Sequence, residues 1–477
     1  MYRKHDYLGP SIDKLSRFII IAVICTFLLS KIVLSLITIN NTSGSTPQSS
    51  LIKRGVIVIV VDQLGAKYLK IFNKEAETST PYLDNLSRES VVFRNFHTNA
   101  VHTLNSFGCL YSGTYDYEQS DPKVNLISVL QKNGINTKII SGYRTSMPDL
   151  TNQIYRGLRG YFLTEHFTFL PRLLGLDYQI TRKPRKTVFK MINSVFPYKH
   201  PFGILKEEVE YLVSNKRNFF ILLHVNVGDR KYSSADTTPL WEDLDTDKVD
   251  THKTEKRIRK NSYRYTEKDE WWVNEKKSLY LDNIGHIDKS IESFIDFLKQ
   301  NNIYKDVSII ITADHGSSYE DGKIWYGYHI NEAVTWVPLI IKNGKTRGAD
   351  ERMCETVDIP STILDIFDIK EKLSGRGIPL TTKQRHKKYT VSISSGKIKN
   401  RPGSKFYSYL AVYDKNKKHV FTVDANNNEI KYLKSYMVDA RGNSDEMQFQ
   451  DLTIIESLSG ESIDNLSEIL SRLENAD

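Results

Sequence analysis

A chain of 477 residues that is 40% hydrophobic and 26% charged has the composition of a globular protein with a sizeable core, which excludes a collagen-like or disordered chain. Its formal charge of +9 is spread along the length. That suits simple solubility or attraction to anionic lipids and phosphate-bearing substrates, and without a basic stripe carrying interleaved aromatics no nucleic-acid partner is expected.

The first element is the apolar run from Phe18 to Ile39, broken only by Lys31 and a few hydroxyls. A helix of that length covers about 30 Å, the thickness of a bilayer core. Arg3, Lys4, Lys14 and Arg17 precede it, and the stretch after it is neutral. The positive-inside rule then predicts a single-pass membrane protein with its N-terminus in the cytoplasm and the rest outside. A cleaved signal peptide is the alternative, but the run is long for one and no A-x-A site follows. The expected order is therefore a tail (1–17), a membrane helix (18–39) and a polar linker (40–54). Of the three cysteines, Cys25 lies in this run and Cys109 and Cys354 follow, with no CxxC pair to suggest a thiolate zinc site.

Gly55 to Asp62 is a continuous β-branched run that ends in an acid, the pattern of a strand buried on both faces. Helical periodicity over Leu126 to Asn133 leads into a short strand, Thr137 to Ser141. Asn218 to Asn226 is a further central strand. Leu279 to Gln300 carries Ile284, Ile287, Ile291, Phe294, Ile295 and Leu298 on one helical face. Strands follow at Val307 to Thr312 and at Val337 to Ile341. Residues 230–277 are charged and aromatic without a strong period, and read as an exposed insertion, either a lid or a solvated loop. Strands alternating with helices predict an α/β fold with a mostly parallel central sheet sandwiched by helices over residues 55–385. Beyond it, Phe406 to Tyr413 and His419 to Val423 read as antiparallel strands and Ile463 to Leu473 as a closing helix. Together they form a small α+β subdomain over 386–477.

Asp62 stands at a strand end, where ligands bind in open α/β sheets. Asp314-His315-Gly316 stands at another. Carboxylate oxygens and an imidazole nitrogen are ordinary ligands for zinc, manganese and related divalent cations, although a surface turn after a strand would carry the same dipeptide. The segment from His102 to Thr114 places a hydroxyl ahead of a helical turn. Helix N-terminal amides and a metal both lower the cost of an alkoxide there, and the amides can hold anionic ester oxygens.

These segments occur in the order found in the alkaline phosphatase/sulfatase superfamily, which the chain resembles from about residue 55 to 370. Thr80 to Leu86 resembles the family's TPNLDRLA helix, Ser90 to Phe96 its GVRFTNAY, Leu110 to Gly113 its LLTG, Ile311 to Gly316 its FTSDHG, Val337 to Ile340 its RVPLI, and Val357 to Asp365 its DLYPTLLDL. Family spacing places the nucleophile ten residues before Gly113, at Thr103. The resemblance implies one divalent metal (Zn, Mn, Ca or Mg) held by Asp62, Thr103, Asp314 and His315. It also implies a phosphate- or sulfate-ester substrate, such as a lipid or glycan ester. His329 lies near a second family histidine.

The departures shape the expected chemistry. Formylglycine sulfatases carry Cys or Ser within C-x-P-S-R, whereas here Thr103 fills that slot and Phe107 replaces the arginine. Threonine is the nucleophile of the phosphoethanolamine and phosphoglycerol transferases and of the nucleotide pyrophosphatase/phosphodiesterase branch. Gly228-Asp229 stands where members often have Pro-His, so Asp229 is a candidate ligand. Arg144 and His102 are candidates to replace the missing cation, and His224 reads as a buried strand histidine. The leading expectation is a membrane-anchored phosphotransferase or phosphohydrolase. The alternatives are a sulfuric ester hydrolase on sulfated glycans and a catalytically silent binding protein.

Overall fold

The computed structural model describes residues 55–115, 125–141, 201–227, 249–343, 346–373, 375–381, 387–394, 407–424, 430–439, 441–446 and 458–459. The expected membrane helix, Arg144, Asp229 and the closing helix at Ile463 to Leu473 lie outside these residues. Among the described residues no helix is long and apolar enough to cross a membrane.

The first sheet is built from β1 (Gly55–Asp62), β2 (Val91–His97), β3 (Asn136–Ser141), β4 (Phe219–Asn226), β5 (Val307–Thr312), β8 (Leu339–Lys342) and β9 (Gly348–Glu355), with a separate hairpin of β6 (Ser318–Glu320) and β7 (Lys323–Trp325) between β5 and β8. The spatial order is β3-β4-β1-β5-β8-β2-β9. All neighbouring pairs are parallel except those of β8, which runs against both β5 and β2. Every residue of β1 is buried, which is why its sequence is β-branched without alternation. Each such side chain contributes about 1.5–3 kcal/mol by leaving water.

Helices α1 (Pro81–Ser87), α2 (Thr103–Ser112), α3 (Leu126–Lys132), α4 (Pro201–Ser214), α5 (Val249–Lys260), α6 (Glu270–Gln300), α7 (Glu332–Thr335) and α8 (Asp358–Ile366) complete the first layer set. Part of the stretch expected to be an aperiodic insertion is helical. It includes α5 and the first turns of α6, which begins at Glu270 rather than Leu279. Asp269 accepts hydrogen bonds from the Thr266 amide and hydroxyl and so starts the turn. Buried Trp272 and Val273 extend the apolar face upstream, while Glu275, Lys276 and Lys277, between Val273 and Leu279, obscure its period in the sequence.

The C-terminal sheet is antiparallel throughout, in the order β10 (Thr390–Ile393), β11 (Tyr407–Asp414), β12 (Lys417–Asp424), β13 (Ile430–Val438) and β14 (Ser444–Glu446). It is joined to the larger sheet through the loop between β2 and α2. The Ile393 amide donates to the Asn99 carbonyl at 2.9 Å, and the Val101 amide donates to the Ile393 carbonyl at 3.2 Å. The Asn99 side chain donates to Glu355 at 2.7 Å and to the Val391 carbonyl at 2.9 Å, and accepts from the Val357 amide at 3.0 Å. Beneath it, buried Lys387 lies 2.5 Å from Glu355 and 2.8 Å from Asp358. At the end of β2, buried His97 stacks on Tyr413 at 3.9 Å and is hydrogen-bonded to Thr390 at 3.0 Å.

Two outcomes follow from this junction. Lys387→Met strands two buried carboxylates without a cation and should cost about 3–5 kcal/mol, read as a lowered urea midpoint. Burial holds the His97 pKa down at about 3, with Glu355 opposing and Lys418 adding to the shift. The unfolded chain therefore binds a proton below about pH 6.5 that the folded chain refuses, so stability falls with pH by up to about 1.4 kcal/mol per unit. Urea unfolding between pH 6.5 and 5 should show a shallower pH slope for His97→Asn than for the parent chain.

Candidate metal centre

The centre forms where β1, β4 and β5 end side by side. Register pairs Asp62 with Asn226, and pairs Val60 with Thr312, so Asp314 projects from just beyond the neighbouring strand at the level of Asp62. Both carboxylates are buried, at 4% and 2% exposure, beside fully buried His315. One oxygen of each is tied down. Asp62 Oδ2 accepts from Asn226 at 2.7 Å, and Asp314 Oδ1 accepts from the His315 amide at 2.8 Å and the Gln63 amide at 3.3 Å. Gln63 reaches that position through a left-handed backbone, φ 71°.

The remaining oxygens, Asp62 Oδ1 and Asp314 Oδ2, are buried and have no hydrogen-bond partner among the described residues. They face the same atom: His315 Nε2 lies 3.6 Å from the first and 3.4 Å from the second. His315 Nδ1 lies 3.0 Å from the Gly316 carbonyl, which can only accept. Nδ1 therefore carries the proton, which leaves the Nε2 lone pair, like those of the two oxygens, available to a cation between them. Thr103 Oγ1 joins the same atom at 3.1 Å. Four donors around a tetrahedral ion with bonds of about 2.0–2.2 Å would stand roughly 3.3–3.6 Å apart. Orphaned carboxylate oxygens at this spacing fit a divalent cation. Burial, followed by the Asp314 charge, holds the Asp62 pKa well above the usual carboxylate range, which is the electrostatic cost a cation would relieve.

Thr103 opens α2, after His102 in extended conformation. Its hydroxyl therefore stands at the N-terminal end of the helix, where first-turn amides have no intrahelical acceptor. Thr98 fastens that helix to the metal strand, donating to the Asp314 carbonyl at 2.5 Å and lying 3.3 Å from Ser106 Oγ. Gly316 allows the other side to close. A Cβ there would stand 2.0 Å from the Ala333 carbonyl oxygen, while its amide donates to Val334 at 2.8 Å.

Asp62, Thr103, Asp314 and His315 are thus brought together. His102 is exposed at the mouth, its ring edge-on to Tyr326, which lies over His315 at 4.0 Å. Burial, then the neighbouring His315, lowers the His102 pKa from its ordinary value. His329 is buried and its described hydrogen bonds stay within its own loop, at 3.1 Å to Asn331 and 3.4 Å to the Ile324 carbonyl. Burial, followed by the Lys323 charge, brings its pKa to about 4.

Three polar residues at the centre were not anticipated from sequence: Asn226 and Gln63, which position the carboxylates, and His224. His224 shares a sheet face with Asp62, because it pairs with Val60. One of its ring nitrogens and one oxygen from each of Asp62 and Asp314 all lie within 4.8 Å of one another. The signal for it was strand alternation: His224 and Asn226 fall on one face of an otherwise apolar run.

The sulfatase family model matches residues 54–369, more than half of the chain. The multifunctional alkaline phosphatase superfamily protein PehA of Trinickia caryophylli is 24% identical over 388 residues, covering 66% of this chain and 73% of that protein. Among solved structures, the phosphonate monoester hydrolase of Silicibacter pomeroyi has a TM-score of 0.55 at 16% identity, covering 89% of this chain and 94% of its own. BT4656, solved with its substrate D-glucosamine-2-N,6-O-disulfate, has a TM-score of 0.57 at 13% identity, covering 88% and 97%. The strand-end carboxylates and the DHG turn stand inside the matched span, and the chain belongs to the sulfatase family of the alkaline phosphatase superfamily as a sulfatase-like hydrolase.

Proposed function

We propose that the protein is a membrane-anchored, metal-dependent phosphohydrolase or phosphotransferase that uses Thr103 as its nucleophile. The observation that supports this most is the placement of Thr103 Oγ1, 3.1 Å from His315 Nε2 and at the first turn of α2. A bound divalent cation would supply Lewis-acid stabilisation of charge on the ester and the nucleophile. Asp62, Asp314, His315 and Thr103 would hold it.

The chain's own groups account for the rest. The first-turn amides of α2 bind anionic ester oxygens and favour the Thr103 alkoxide. Thr103 Oγ attacks phosphorus in line, the bond to the leaving oxygen breaks, and a phosphothreonine forms. Water or an acceptor hydroxyl then attacks the same phosphorus and releases Thr103. Asn226 and Gln63 keep both carboxylates aimed inward. A formylglycine route is closed to this residue, because oxidising a secondary alcohol gives a ketone and not an aldehyde. The substrate is accordingly read as a phosphate ester of a lipid or glycan. Anchoring is read from the Phe18 to Ile39 run, and the domain carrying the site is placed outside the cytoplasm.

A second reading, sulfate-ester hydrolysis without formylglycine, draws on the resemblance in fold to a protein solved with a disulfated sugar. Assays of aryl phosphate mono- and diesters against an aryl sulfate separate the two. Turnover of the phosphate ester should exceed that of the sulfate. Thr103→Ala should lose ~10³-fold or more in kcat, and Thr103→Ser should retain measurable activity. Intact mass of a quenched reaction should show phosphate on the parent chain and none on Thr103→Ala. Full activity in Thr103→Ala overturns the mechanism.

A further inference from the structure

We infer that Tyr280 of α6 is a positioning residue for the metal centre: its buried hydroxyl sets the turn after β1 and, through the Gln63 amide, the aim of Asp314. This rests on reading Asp62, Thr103, Asp314 and His315 as a metal site.

The turn that follows Asp62 is tight. Gln63 has φ 71°, a backbone conformation uncommon for a residue with a side chain. Leu64 closes the turn by donating its amide to the Val61 carbonyl at 3.2 Å. The Tyr280 hydroxyl reaches this segment from α6. It donates to the Gln63 carbonyl at 2.8 Å and accepts from the Gly65 amide at 3.2 Å. One oxygen thus holds both ends of Gln63-Leu64-Gly65. Gln63, Gly65 and Tyr280 are all buried, so removing the hydroxyl strands a carbonyl and an amide away from water. Burial raises the Tyr280 pKa above the ordinary phenol value, so the hydroxyl keeps the proton that it donates.

The consequence reaches Asp314. In its left-handed conformation Gln63 sends its amide to Asp314 Oδ1 at 3.3 Å. That bond and the one from the His315 amide at 2.8 Å commit Oδ1 and leave Oδ2 for a cation. Unusual backbone conformations persist only where the surroundings impose them. A Gln63 released to negative φ withdraws its amide, and Asp314 keeps one of these two backbone donors.

The Tyr280 ring braces both arms of the centre. It meets Tyr68 edge-on at 5.1 Å and Tyr319 at 5.0 Å. Tyr68 lies on the segment after Asp62, and Tyr319, in β6, lies on the segment after Asp314-His315-Gly316. One side chain of α6 therefore touches the continuation of both strands that carry candidate ligands.

Tyr280→Phe keeps the ring and deletes both hydrogen bonds. Calorimetric titration of the full chain with zinc, where parent and variant are both folded, should show affinity ~10–100-fold weaker in the variant. Equal affinities overturn the positioning role and leave the metal reading intact, whereas a parent chain that binds no divalent ion overturns the metal reading itself. A role confined to stability would lower the urea midpoint without changing the zinc affinity of the folded protein, and that result also overturns the proposal. Amide exchange in the metal-free parent is a second test that needs no variant. The Gly65 amide should be protected before zinc is added, and protection that arises only with zinc overturns a turn preset by Tyr280.

Discussion

The arrangement depends on one electrostatic constraint: two carboxylates held together in a buried space. Asp62 ends β1 and Asp314 lies just beyond the adjacent parallel β5 at the same level. Asn226 and two backbone amides satisfy half of their oxygens, which orients the other half toward His315 Nε2. Buried like charges at this range raise each other's energy steeply, and the local architecture answers that repulsion. Proton placement on His315, the first turn of α2 and the close approach of Gly316 to Ala333 all turn donors toward the same point.

Much of this frame could be read in the sequence because burial on both faces leaves an unambiguous trace. The run Gly55 to Asp62 and the strand Val307 to Thr312 are apolar enough that an acid just past each end stands out. Thr103 was reached through spacing to Gly113, whose left-handed backbone, φ 72°, ends α2. His224 was harder to see, since a single histidine in an aliphatic strand has the same sequence appearance whether it is packed or ligating. Its place beside the two carboxylates comes from register with β1. The buried Lys387, Glu355 and Asp358 cluster was equally hidden, because each charge alone reads in sequence as one facing water. The early start of α6 was missed because charged residues on its solvent side interrupt the apolar count that a short window relies on.

Family resemblance supplied the order of the motifs, and the coordinates supply what the departures do. Phe107, in the position of a family arginine, is a packing partner of His224. Tyr326 lies over His315 and meets His102, so the mouth of the centre is lined by aromatic surface and an imidazole. Trp325 and Tyr263, both in left-handed backbone, brace that loop against each other at 5.5 Å. Such conformations are costly for bulky residues and persist where the surroundings impose them.

The bond between Asn99 and Val391 spans 292 residues, and that between Thr98 and Ser392 spans 294. Contacts of this length form late, after the intervening chain has been organised, and they slow folding through the entropy of closing so large a loop. During synthesis the segment ahead of Thr103 has no β10 to pair with until most of the polypeptide has been made. The seat of Thr103 is thus completed by a strand made long after it, since the Asn99–Val391 bond spans 292 residues. A ribosome-bound or truncated intermediate that lacks β10 leaves the loop ahead of Thr103 without these bonds.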